Sequence, residues 1–305
     1  MIAIDLRTRV AGLDMPNPTM LASGILGTTA DILREAANAG AGAVVTKSVG
    51  LKPREGYPNP TIIQVECGFL NAVGLPNPGI RKFVDEIRGL RDLKVPLIVS
   101  VFGFSPKEYA EAARLAVEAG ASAVELNLSC PHVKGTGAEI GQDPQTVKLI
   151  VKAVKSRVNR PVFAKLTPNT SSISNLAEAA VLAGADAITA INTVRAMAID
   201  IETFRPILAN KFGGLSGAAI KPIAVRCVYE IYEAVNVPII GCGGIRDWRD
   251  AVEFMLAGAC AVQIGSAIAL EGLSIFKKIC DGISKFLERK GFRSVNEIVG
   301  LAHKK

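Results

Sequence analysis

The chain has 305 residues, 49% hydrophobic and 21% charged, with a formal net charge of +7, a composition that buries a large core and excludes a disordered protein. The most apolar tract, 177–194, is broken by Glu178, Asp186 and Asn192, which excludes a membrane span there. The cysteines (Cys67, Cys130, Cys227, Cys242, Cys260, Cys280) form no C-x-x-C pair, which excludes a ferredoxin-type cluster, a zinc ribbon and a disulfide framework.

The first residues lack the basic start, apolar core and cleavage site of a secretory leader, so a cytoplasmic protein is expected. Short apolar runs then recur at 19–22, 43–46, 97–101, 123–128, 161–166, 187–191, 237–241 and 260–264, which predicts eight strands. Helical stretches between them end in Ala-Gly-Ala at 39–41, 119–121, 183–185 and 257–259, placing glycine at a helix C-terminus just before the next strand. Parallel strands need helical crossovers, so this alternation predicts an α/β fold: a single (β/α)8 TIM barrel forming one domain over 1–305. After the last strand, lysines and arginines from Lys277 to Arg293 alternate with Ile279, Ile283, Phe286 and Leu287 at helical spacing. That pattern reads as a solvated helix face and not as a nucleic-acid site.

Three connections are long, at 49–78, 129–143 and 193–220, and in such barrels they fall on the C-terminal face, where ligands bind. The residues expected at the strand ends are Ser23, Lys47, Ser100, Asn127, Lys165, Asn192, Gly243 and Gly265. Gly241-Cys-Gly-Gly-Ile245 and Ile264-Gly-Ser-Ala267 suit a phosphate held by backbone N–H groups at helix starts, and Gly213-Gly-Leu-Ser-Gly217 suggests a third cradle. Lys165 fits two chemistries: a Schiff-base amine of an aldolase or lyase, or a fixed cation beside a flavin ring. Asn71-Ala-Val-Gly-Leu-Pro-Asn77, with Lys47 before it, suits a small planar ligand bearing amides and a carboxylate, clamped from the other edge by Asn192-Thr193. Pro131 ends the fourth strand and sets Cys130 in a loop, where a thiol can meet a ligand as a base on carbon or remain a structural thiol.

Together, Leu21-Ala-Ser-Gly24, Thr46-Lys-Ser48, Asn71 to Asn77, Asn127-Leu-Ser-Cys-Pro131, Lys165, Ile191-Asn-Thr193, Gly213 to Gly217, Gly243-Gly244 and Gly265-Ser266 resemble the dihydroorotate dehydrogenase family over nearly the whole chain. Asn192-Thr-Val-Arg-Ala-Met-Ala-Ile-Asp200 followed by Gly-Gly-Leu-Ser-Gly resembles the class 1B catalytic subunit. The resemblance implies oxidation of dihydroorotate to orotate in pyrimidine biosynthesis, with Cys130 and Lys47 catalytic. Cys130 is the base for the C5 proton, and the C6 hydride goes to N5 of FMN. It implies FMN contacts from Ser23, Lys47, Ser48, Ser100, Asn127, Lys165, Ile191, Gly217, Gly243, Gly244, Gly265 and Ser266, and substrate contacts from Lys47, Asn71, Ala72, Val73, Gly74, Leu75, Asn127, Asn192 and Thr193. No metal ligand is expected. It further implies a partner subunit carrying FAD and a [2Fe-2S] cluster with NAD as final acceptor, in a homodimer or heterotetramer. His132 stands where the family usually has asparagine, and Ser100 where a flavin-contacting asparagine is common. A dihydropyrimidine-type dehydrogenase and a fumarate-linked class 1A enzyme are the neighbouring alternatives, and a flavin-free lyase is the remote one.

Overall fold

The computed structural model describes residues 4–128 and 141–304. All eight predicted strands form, as Thr19–Leu21, Ala43–Val45, Leu97–Val101, Ala123–Asn127, Val162–Leu166, Ala187–Ala190, Ile239–Cys242 and Ala261–Ile264. They close into a parallel barrel in chain order, the eighth pairing with the first, so the (β/α)8 expectation holds. In each Ala-Gly-Ala motif the glycine takes a positive φ, from 102° at Gly184 to 127° at Gly120, the left-handed turn that ends a helix at little cost for glycine alone. Several helices also start on a capping side chain: Ser105, Asp143, Ser172 and Asp247 each accept a backbone N–H of the first turn. The basic segment forms the helix Ile275–Lys290, which buries Ile279, Ile283 and Leu287.

Side chains alternate across each strand, and both faces here are enclosed. Outward residues such as Val44, Val99, Val124, Ala164, Ile188 and Val262 pack with the surrounding helices. Inward residues Met20, Val45, Ile98, Ala123, Phe163, Ala187, Ile240 and Ala261 fill the lower barrel. A hairpin, Thr8–Val10 with Leu13–Met15, adds Val10 and Met15 to that apolar layer. One step higher the inward positions turn polar at Ser100, Glu125, Lys165, Thr189 and Gln263, all of them buried.

At the C-terminal end two of the long connections fold into one structure. Ile62–Val65 and Gly68–Asn71 from the second connection pair with Gly213–Ser216 and Val194–Ala196 from the sixth in a four-stranded sheet. A small hairpin, Ile199–Asp200 with Arg205–Pro206, projects from the sixth connection. Among the described residues no helix is long and apolar enough to cross a membrane.

Candidate functional site

The sheet from the two connections faces the strand ends across a cavity of about 340 Å³, a volume suited to a nucleotide-sized ligand. From the barrel, Ser23, Lys47, Ser48, Asn127, Lys165, Ile191, Gly243, Gly244, Gly265 and Ser266 line it. From the connections come Asn71, Val73, Gly74, Leu75, Asn192, Thr193 and Gly217. Nearly every residue expected at the site therefore meets at one place, although the two sets lie on segments far apart in the chain. Two lysines and no carboxylate stand on the described wall, so the cavity favours an anion.

Two expected residues are not on the wall. Ser100 is fully buried: it pairs in register with Glu125, two residues short of Asn127, in the polar layer beneath the cavity. Its hydroxyl lies 2.9 Å from Ser48 Oγ, so it braces Ser48 from beneath instead of reaching the cavity. Ala72 turns the other way, packing with Leu70 and Leu208 on the face of the upper sheet away from the cavity. Cys130 and His132 lie outside the described residues, as does most of the fourth connection.

Ser48 is the hub of the polar layer. Asn127 Nδ2 donates to its Oγ at 2.9 Å and Ser23 Oγ lies 3.2 Å away. Asn192 Nδ2 donates to Asn127 Oδ1 at 3.3 Å, and the backbone oxygen of Asn127 accepts from Tyr109 Oη at 2.9 Å. With its carbonyl oxygen accepting from Asn192, the Asn127 amide has a defined orientation. In the 71–77 turn the two asparagines divide. Asn71 lines the cavity, whereas Asn77 caps its own loop, accepting from Gly50 N and Gly79 N and donating to Leu75 O. Only glycine fits at position 74, because φ is +80° and a Cβ would lie 2.7 Å from Tyr57 N.

On the far side the glycines leave a backbone cradle. No hydrogen bond from the described residues engages the N–H groups of Gly243, Gly244, Gly265 or Ser266, which suits a phosphate. The expected helix start after Gly244 is different: the helix Trp248–Leu256 has its first N–H groups taken by the Asp247 carboxylate, at 2.7 Å from Arg249 N and 3.3 Å from Asp250 N. The backbone left open to an anion here is that of the glycine loops, not of that helix end. The loop is braced through Asp250, whose Oδ1 accepts from Lys221 Nζ at 2.8 Å and whose Oδ2 accepts from Arg246 N at 2.9 Å.

Lys165 resolves its two readings. Its Nζ donates to Gln263 Oε1 at 2.8 Å and lies 3.6 Å from Glu125 Oε1, all three groups being buried. Burial disfavours the ammonium, yet the charges of Glu125 and Cys242 and the close polar contact with Glu125 together raise the lysine above its ordinary value. A Schiff-base lysine must present a neutral amine, and a carboxylate 3.6 Å away favours the cation instead. Glu125, Thr189, Gln263 and Cys242 are the part of the site that strand-end reasoning missed. The visible signal was a single polar residue interrupting each of Ala-Val-Glu-Leu-Asn, Ala-Ile-Thr-Ala and Ala-Val-Gln-Ile, at an inward position of an otherwise apolar strand. Among the described residues no group of histidine, cysteine and carboxylate side chains is arranged to hold a metal ion.

The profile of the family "Dihydroorotate dehydrogenase" matches residues 5–287. The chain is 54% identical over 301 residues to "Dihydroorotate dehydrogenase B (NAD(+)), catalytic subunit" of Pyrococcus furiosus, covering 99% of this chain and 100% of that protein. It is 51% identical over 296 residues to the protein of the same name from Methanosarcina acetivorans, covering 96% and 95%. A crystal structure of the Eimeria tenella DHODH in complex with ferulenol superposes with a TM-score of 0.88 at 23% identity, over 99% of this chain and 89% of the other, a likeness of fold. Barrel, cavity and sequence agreement over nearly its full length lead to one assignment: the chain belongs to the dihydroorotate dehydrogenase family.

Proposed function

We propose that this chain is a catalytic subunit that oxidises dihydroorotate to orotate, with FMN as its resident cofactor. The family's chemistry is flavin-dependent. The observation that carries the reading is the asymmetry of one cavity: glycine N–H groups and a buried lysine on the barrel side, asparagine amides beneath the upper sheet on the other. Ser23, Lys47, Ser48, Asn127, Lys165 and the glycine loops fit FMN, and Lys47, Asn71, Asn127, Asn192 and Thr193 fit a planar pyrimidine acid. Bound FMN would supply the acceptor for the hydride that leaves C6 of dihydroorotate.

The remaining work falls to the chain. Lys47 opposes the substrate carboxylate, and the amides of Asn71, Asn127 and Asn192 match the donors and acceptors of the pyrimidine edge. The upper sheet shields the reacting face from water. The proton at C5 passes to Sγ of Cys130, the base implied by the family resemblance. A free cysteine has a pKa of about 8.5, so turnover rises with pH through that region unless the site lowers it. A partner subunit with FAD and a [2Fe-2S] cluster would take up the electrons and deliver them to NAD. The relatives' names, which specify a catalytic subunit and NAD(+), support a partner subunit and NAD as acceptor. The barrel and its connections act as one domain.

Anaerobic titration of the purified yellow chain with dihydroorotate tests this reading. Bleaching is expected, with orotate and not uracil perturbing the flavin spectrum. Uracil perturbing it instead would indicate a dihydropyrimidine dehydrogenase, and a colourless protein trapped by borohydride would overturn the reading. Fumarate reoxidising the bleached chain rapidly without a partner would indicate a class 1A enzyme. Cys130→Ala is expected to keep its colour and lose roughly 100-fold or more in bleaching rate.

A further inference from the structure

The buried ion pair under the cavity has no structural reason to be charged. Exchanging such a pair for apolar side chains of similar volume is often neutral or stabilising, and the layer directly below is already apolar. Its geometry is nevertheless tightly specified. Glu125 Oε2 accepts from Gln263 Nε2 at 2.6 Å and from Thr189 Oγ1 at 3.0 Å. A carboxylate only accepts and an ammonium only donates, so Gln263, lying between them, has one permitted amide orientation: nitrogen to Glu125, oxygen to Lys165. The second carboxylate oxygen, Glu125 Oε1, has no hydrogen-bond partner among the described residues and faces Lys165 at 3.6 Å. Three strands, the fourth, sixth and eighth, thus contribute one residue each to a network that holds the Lys165 ammonium of the fifth, which lines the cavity.

We propose that Glu125 is the positioning residue of this site, acting through Gln263 to hold Lys165 as a fixed cation at the cavity floor. The inference rests on the functional reading above and adds Glu125, Gln263 and Thr189 to the machinery. Lys165 supplies the positive charge that an electron-rich ring needs beside it, and Glu125 keeps that charge present despite burial. The raised lysine pKa agrees with this. Among the described residues the other ionisable groups lining the cavity are Lys47 and Cys242, whose thiol burial pushes up.

The test uses the flavin-loaded chain and one readout that needs no turnover. With 15N at lysine Nζ, the Lys165 resonance, assigned by its absence in Lys165→Met, is followed between about pH 6 and 9, where an ordinary lysine stays charged. The wild type is expected to show no titration, Glu125→Gln to lose the ammonium signal within that range, and Glu125→Asp to recover it. In parallel the flavin midpoint potential of Glu125→Gln should acquire a pH break that the wild type and Glu125→Asp lack. A purely structural role predicts that the isosteric Gln is tolerated and the shorter Asp is not, the reverse order. An unchanged Lys165 signal in Glu125→Gln overturns the proposal. If that variant does not fold, loss of the ammonium below about pH 9 in the wild type overturns it, and its persistence in the wild type and in Glu125→Asp supports it. Failure of dihydroorotate to bleach the wild type would count against the substrate and leave the lysine titration as an independent result.

Discussion

Asn71 and Gly214 sit opposite one another in the upper sheet, and the Asn71 amide nitrogen donates to Gly214 O at 3.2 Å. A residue that lines the cavity thereby also stitches together two connections through partners 143 positions apart.

Asn71→Ala removes a ligand contact and that stitch together. One or two hydrogen bonds, each worth about 1 kcal/mol, are lost. The expected result is a rise in KM for dihydroorotate of roughly tenfold, with flavin content unchanged. Steady-state kinetics with the flavin content measured alongside checks it, and an unaltered KM would remove Asn71 from the substrate side.

Ser48 and Ser100 should separate cleanly. Ser48 lies on the cavity wall and is bonded to Asn127, whereas Ser100 only supports it from below. Ser48→Ala is expected to weaken flavin binding by about tenfold, and Ser100→Ala by no more than about threefold, a difference near one hydrogen bond. Fluorescence titration of the apoprotein with FMN measures both.

The glycine cradle offers a similar contrast. A Cβ at Gly265 would meet only Ala22 Cβ at 3.5 Å, ordinary contact, whereas one at Gly243 would lie 2.9 Å from Ala224 Cβ in a backbone with φ +129°. Gly265→Asp should therefore fold with a near-normal Tm and yet be colourless, because its carboxylate enters the phosphate position. Gly243→Asp should lose both colour and stability. A yellow Gly265→Asp protein would rule out the phosphate site there.

Alkaline stability has a definable component at Cys227, a buried thiol on the helix Lys221–Ala234 whose pKa burial pushes up to about 11 from the usual 9.0. A thiol with a raised folded value keeps its proton in the native state and gives it up in the unfolded one. Its contribution is therefore present below about pH 9 and is lost as pH rises through about 11. Urea unfolding at about pH 8 and 10.5 under reducing conditions should show the wild type losing about 2 kcal/mol more than Cys227→Ala. Equal losses would place the alkaline sensitivity elsewhere.

The strands were legible because each is enclosed on both faces and reads as an unbroken apolar run, and the helix ends because glycine alone turns there without strain. The wall residues were legible for a related reason: a strand that ends beneath a long connection must end in the cavity, as Lys47, Asn127 and Asn192 do. Ser100 breaks the pattern through register. It is the penultimate residue of a strand that ends at Val101, paired with the buried Glu125, so its side chain stops short of the cavity. The Asp247 cap was equally hidden, because an N-terminus that looks open to an anion is closed by a side chain three residues beyond the glycines.

Local chemistry in the chain was sufficient to specify an eight-stranded barrel, its glycine loops and the polar residues of its open end, since strand burial and turn conformation depend on near neighbours. Tertiary structure alone decided which of those residues meet. The pairing of Gln263 with Glu125, 138 positions apart, and of both with Lys165 depends on how the sheet closes on itself. The fusion of the second and sixth connections into one sheet depends on pairing between segments that share no local signal. Closure and register are set by the sum of packing around the whole barrel, and no stretch of sequence carries that sum by itself.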